Sequence, residues 1–140
     1  LLLGLSTGGR GVALISLNNL ELFRAGASLS GDFDQTKMPD DKLMRRVYGN
    51  FHKFKERWKT VDNPVNEVKK GNWKMPIWIG HGKKDRVVPF FQSLYFYKML
   101  KKYTKKVRIV FQPSKYGAHN FKYWNSQLKH LMKFFSNYID

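Results

Sequence analysis

The stretch Gly4-Leu-Ser-Thr-Gly8 constrains this chain more than any other five residues in it. An apolar run, Leu1 to Leu5, enters a glycine-rich turn that holds one serine, and a helical pattern leaves it. The pattern G-x-S-x-G fits a sharp strand-to-helix turn that forces the serine out above a sheet, where a substrate can reach its hydroxyl. Side chains at the two flanking positions would meet neighbouring backbone, so both Gly4 and Gly8 are expected to be sterically required. Any glycine-rich turn can carry a serine, however, so the five residues do not decide the matter by themselves.

The remaining pattern alternates strands with helices. Residues 1–5 read as a buried strand and 8–20 as a helix with an apolar stripe through Val12, Ala13, Ile15, Leu17 and Leu20. A second short apolar run, 25–30, ends at Gly31-Asp32, which gives a parallel strand–helix–strand unit. Residues 32–75 are polar, basic and broken by Pro39, Gly49, Pro64 and Gly71. They read as a helical insertion, with short helices expected at 40–47, 50–58 and 64–69. Its aromatics, Phe51, Phe54, Trp58 and Trp73, are expected to pack beneath it. A third strand is expected at 76–81, a loop at 82–89, a helix at 89–103, a fourth strand at 107–111 and a loop at 113–118. In 121–138, Phe121, Trp124, Leu128, Leu131 and Phe135 recur at helical spacing. The expected class is therefore α/β, a single domain over 1–140 with about four strands in a mostly parallel sheet flanked by helices.

Composition excludes several chemistries. With no cysteine among 140 residues, disulfides, thiolate zinc sites and cysteine nucleophiles are ruled out. The reading assigns no metal and no cofactor. No apolar run is long enough to span a bilayer and none reads as a signal peptide, so no compartment is assigned. The net charge of +16 admits an anionic partner such as nucleic acid, lipid headgroups or an acidic substrate. The basic residues are spread along the chain, so a solvated lysine-rich surface is the favoured reading.

Three polar residues fall at the ends of three expected strands: Ser6 after the first, Asp85 after the third and His119 after the fourth. Open parallel sheets build their sites at that carboxyl edge, and the order Ser, Asp, His suits the triad built on such sheets. Each type meets a physical demand. Serine is a poor nucleophile until a base takes its proton. Histidine accepts and returns that proton near neutral pH. An aspartate fixes the imidazole tautomer and stabilises the imidazolium. Of the other histidines, His52 lies in the insertion and His130 deep in the last helix, while His81 is read as shaping the Gly80-His81-Gly82 turn. Asp32 also follows a strand and is the alternative acid, with Asp34 a weaker rival.

These segments resemble the C-terminal portion of an α/β-hydrolase serine esterase or peptidase. Gly4-Leu-Ser-Thr-Gly-Gly-Arg-Gly11 resembles the nucleophile elbow of that superfamily. Asn63-Pro64-Val65 and Met75-Pro-Ile-Trp-Ile-Gly-His-Gly-Lys-Lys-Asp85-Arg-Val-Val-Pro89 resemble the acid-bearing segment of its dienelactone-hydrolase and prolyl-oligopeptidase-like branches. Tyr116-Gly-Ala-His119-Asn-Phe-Lys-Tyr-Trp124 resembles the histidine end of its putative-esterase branch. The resemblance implies an acyl-enzyme mechanism on a small ester-type substrate, esterase ranking above peptidase, with Ser6, His119 and Asp85 as the triad. It also implies an oxyanion donor at the Thr7 backbone N–H and a second from a loop after an earlier strand, which this sequence does not contain. The expectation is thus a fragment, or a chain that pairs through the edge of strand 1–5. The alternative is a non-catalytic hydrolase-like module whose basic surface holds an anionic partner.

Overall fold

The computed structural model describes residues 1–139, leaving only Asp140, the last residue of the expected domain, outside the description. Four strands, β1 (Leu2–Leu5), β2 (Gly26–Leu29), β3 (Ile77–Gly82) and β4 (Ile109–Ser114), pair in parallel in sequence order. Helix α1 (Thr7–Asn18) joins β1 to β2, α5 (Phe91–Tyr103) joins β3 to β4, and α6 (Phe121–Phe135) follows β4. Between β2 and β3 run a 3-10 turn at Gln35–Lys37 and three short helices, α2 (Lys42–Tyr48), α3 (Lys55–Thr60) and α4 (Pro64–Val68).

The two-residue period of β3 divides the core. Ile77 and Ile79 face one side, against Val12 and Ala13 of α1, Val65 and Val68 of α4, and Phe96 and Leu100 of α5. Trp78 faces the other, with Ala27 and Leu29 of β2, against Tyr123, Trp124, Leu131 and Phe135 of α6. Every residue of β3 is buried, as a central strand covered on both faces must be. Truncating a side chain such as Ile79 or Leu100 to alanine in such a core costs about 2–5 kcal/mol. The insertion has its own small cluster of Met44, Tyr48 and Trp58, with Phe51 packed against it. Trp73 joins the main core. Phe54 is the exception among the four aromatics, being exposed.

Local differences from the sequence reading have local causes. Strand β4 continues through Pro113 to Ser114, where a loop was expected. It is an edge strand, and an edge is where a proline without an N–H does least harm to the ladder. Helix α6 closes at Phe135 rather than 138. The glycine expectation is half corrected. A Cβ on Gly4 would lie 2.0 Å from the Gly8 carbonyl oxygen, whereas one on Gly8 would meet nothing within 4 Å. The close approach belongs instead to Gly9, where a Cβ would lie 2.5 Å from Ser28 Oγ and 3.1 Å from Gly31 Cα. Gly4 lets the strand pass under the first turn of α1, and Gly9 lets α1 settle onto β2. At the edge, β1 pairs only with β2 among the described residues, and Leu3 is 50% exposed.

Candidate active site

The elbow brings Ser6 to the carboxyl edge. Its N–H donates to the Leu29 carbonyl at 2.8 Å, and its own carbonyl accepts from Gly9 N and Arg10 N as α1 begins. Ser6 sits at φ 54°, ψ −126°, a left-handed conformation that costs a non-glycine residue about 1–3 kcal/mol and clusters at functional sites.

Asp85 lies in the loop after β3. Its Oδ1 accepts from Val87 N at 2.9 Å and Val88 N at 2.8 Å, so the residue caps its own turn and the carboxylate is fixed by backbone. His119 lies in the loop after β4, one residue before Asn120, whose side chain caps α6 by accepting from Tyr123 N at 2.9 Å. The two loops are pressed together: a Cβ on Gly82 would lie 2.1 Å from the Gly117 carbonyl oxygen. Lys84 N also donates to that carbonyl at 2.9 Å. Glycine at both positions therefore sets the spacing between Asp85 and His119.

The result is a continuous chain of hydrogen bonds. Ser6 Oγ and His119 Nε2 are 3.0 Å apart, and His119 Nδ1 and Asp85 Oδ2 are 2.7 Å apart. The carboxylate can only accept, so the Nδ1 proton points at Asp85 and Nε2 is left to accept from the serine hydroxyl. Burial raises the Asp85 carboxyl. Hydrogen bonds from His81 and His119, then from Val88 and Val87 N–H, outweigh that and hold it well below the usual carboxylate range. Asp85 is thus ionised around neutral pH. Trp124 packs edge-on against the His119 ring at a centroid distance of 5.0 Å, and its Nε1 donates to Ser30 Oγ at 3.1 Å. Thr7 is the first residue of α1, so its N–H has no acceptor within the helix and points outward from its N-terminus.

The alternative acid is engaged elsewhere. Asp32 Oδ2 accepts from Arg10 Nη1 at 3.0 Å in a pair that is almost wholly buried. Arg10 also reaches the Tyr48 hydroxyl and lies 3.1 Å from Met44 Sδ. Burial raises the Asp32 carboxyl despite the guanidinium. This pair ties α1 to the insertion and leaves the histidine to Asp85. Asp34 Oδ1 accepts from Thr36 N, Thr36 Oγ1 and Asn63 Nδ2, so it too is committed to the insertion.

The sequence reading missed His81. Its side chain is fully buried and its Nε2 lies 3.3 Å from Asp85 Oδ2, the oxygen that His119 also uses. Its His-x-x-x-Asp spacing, His81 to Asp85, was the available signal. Among the described residues, no group of three or more His, Cys, Asp or Glu side chains could hold a metal ion.

A family model described as the prolyl oligopeptidase family matches residues 1–140. Among solved structures, an acylaminoacyl peptidase in complex with Z-Gly-Gly-Phe-chloromethyl ketone aligns over 96% of this chain, with 26% identity and a TM-score of 0.79. An acylaminoacyl peptidase of Pyrococcus horikoshii aligns over 98% of it, with 24% identity and a TM-score of 0.80. The chain spans 23% of the length of each. The fluorophosphonate-binding serine hydrolase FphF of Staphylococcus aureus aligns over 94% of this chain and 52% of its own, with 21% identity and a TM-score of 0.73. A comparison with curated proteins gave no match.

Proposed function

The chain belongs to the prolyl oligopeptidase family of α/β-hydrolases, and from that premise we propose that it carries the acyl-transfer centre of a serine peptidase, with Ser6 as nucleophile, His119 as base and Asp85 as the acid that orients it. The observation that carries the proposal is the unbroken Ser6–His119–Asp85 hydrogen-bond chain, 3.0 and 2.7 Å in its two links.

The steps follow from the geometry. Ser6 Oγ attacks a peptide carbonyl while its proton passes to His119 Nε2. The resulting imidazolium is stabilised by the Asp85 carboxylate. The developing oxyanion is met by the Thr7 N–H, which stands at the start of α1 where the helix dipole also favours negative charge. His119 then returns the proton to the leaving amine as the C–N bond breaks, leaving an acyl-enzyme. Water, deprotonated by the same nitrogen, releases the acid and restores Ser6. The Thr7 N–H is the oxyanion donor that this reading assigns. One such donor is worth about 10²–10³ in rate.

Peptide bonds now rank above esters, reversing the order drawn from sequence. The support is the family match and the peptidase at 26% identity. An ester needs less help at the leaving group, so both substrates acylate such a serine, but only a peptidase protonates an amine efficiently. The test is to compare acyl-peptide p-nitroanilides with p-nitrophenyl esters in the intact protein. Amide turnover that is abolished by Ser6→Ala supports the reading. Ester turnover with no amide turnover returns the order to esterase first, and neither activity refutes it.

A further inference from the structure

We propose that His81 is a positioning residue for the acid: a neutral imidazole that holds Asp85 in place through its contact with the same Oδ2 that His119 uses. The inference rests on the triad reading above and extends it to a fourth side chain.

The tautomer of His81 follows from its partners. Nε2 is 3.0 Å from the Val88 carbonyl oxygen and 3.3 Å from Asp85 Oδ2. Both neighbours are acceptors, so Nε2 carries the proton, directed between them. Nδ1 is 2.7 Å from Ser93 Oγ of α5, and a hydroxyl can donate there. The ring is therefore satisfied on both nitrogens without a positive charge, as a fully buried imidazole requires. Phe90 closes over it edge-on at 5.8 Å.

Two routes lead from this ring to the carboxylate. The direct one is the 3.3 Å approach of Nε2 to Oδ2. The indirect one runs through Val88, whose carbonyl accepts from His81 while its N–H donates to Asp85 Oδ1 at 2.8 Å. His81 thus holds the residue whose N–H fixes the acid, and Ser93 anchors that hold to the core helix.

The electrostatic consequence has a definite sign. Asp85 is faced by His81 from β3, by His119 and by its own turn's N–H groups. Tyr123 of α6 is close enough for the Asp85 charge to help, after burial, in raising its phenol. Lys83 lies over the outer face of Phe90, Lys84 over Tyr116, and Arg86 is exposed on the same loop. Removing the His81 proton leaves more of the carboxylate's charge for His119, so the imidazolium persists to higher pH and the acid limb of the reaction moves upward. The loosened carboxylate also positions the base less well, and misplacement on the ångström scale costs about 10² in rate.

The test is the rate of covalent labelling by a fluorophosphonate probe against pH, in the intact protein. Wild-type labelling at Ser6 establishes the underlying reading separately; its absence overturns both. For His81→Phe the expected result is labelling about 10–100-fold slower with the acid limb displaced to higher pH. His81→Gln, whose amide keeps one donor and one acceptor, recovers most of the rate and the wild-type limb. Ser93→Ala, which leaves the ring in place, shows the same displacement in smaller measure and serves if His81→Phe fails to fold. A wild-type rate in His81→Phe, or equal loss in the Phe and Gln variants with an unmoved limb, overturns the proposal, as does an unmoved limb in Ser93→Ala.

Discussion

Two glycines four residues apart should respond in opposite ways to the same substitution. A Cβ on Gly4 would lie 2.0 Å from the Gly8 oxygen, 2.3 Å from the Gly8 carbon and 2.8 Å from Gly9 N. All three are backbone atoms of the helix that carries the nucleophile turn, so no flexible side chain can yield. A contact that close requires a displacement of more than an ångström to reach ordinary van der Waals separation, and overpacking of this kind costs about 1–3 kcal/mol or more. The displacement falls on the turn that aims Ser6, where a shift of that size costs about 10² in rate. Gly8 is the control. Its Cβ would meet nothing within 4 Å, and the residue lies inside α1 without a positive φ. Alanine there gains about 0.5–1 kcal/mol through the unfolded chain and helix propensity. Thermal unfolding and fluorophosphonate labelling of the two variants measure both effects. Gly4→Ala should melt lower and label about 100-fold more slowly, and Gly8→Ala should melt slightly higher. Wild-type stability and labelling in Gly4→Ala would refute the steric account of the elbow.

The two candidate acids separate cleanly. Asp85→Asn keeps the shape of the acid but removes the charge that holds the His119 tautomer, so turnover should fall by about 10⁴ with little loss of fold. Asp32→Asn breaks the buried pair with Arg10 and should lower stability by about 3 kcal/mol, read by denaturant midpoint, with labelling per folded molecule unchanged. Asp85 is held below the usual carboxylate range in the fold. Its stabilising contribution is therefore present above its unfolded value of about 3.9 and lost as pH falls below that toward the folded value. The melting temperatures of wild type and Asp85→Asn, compared at about pH 6 and about pH 3, should draw together at the lower pH.

The site was legible where its determinants are local. A strand-to-helix turn needs particular residues at fixed offsets, so Ser6 announces itself, and Asp85 and His119 follow strands whose apolar runs are plain. The parallel sheet of four strands flanked by helices followed from the same alternation. What stayed hidden depends on contacts between distant segments. Arg10 and Asp32 are 22 residues apart, and only the folded chain shows that each serves the other. Gly9 is required by its approach to Ser28 and Gly31, which no local rule supplies. His81 read as a turn residue because its four-residue offset from Asp85 acquires meaning only when the loop folds back and the Val88 carbonyl turns inward. Pro113 marked a loop in sequence because its place at the sheet edge was not yet known.

The central claim is that Ser6 is an activated nucleophile. Its most direct test is to treat the intact protein with a fluorophosphonate probe and map the adduct by peptide mass spectrometry. The account predicts one adduct, on Ser6, that is lost in Ser6→Ala and strongly slowed in His119→Ala. A Ser6 that stays unmodified under conditions where the protein is folded, or an adduct that forms equally well without His119, would contradict it and favour a hydrolase-like binding module instead.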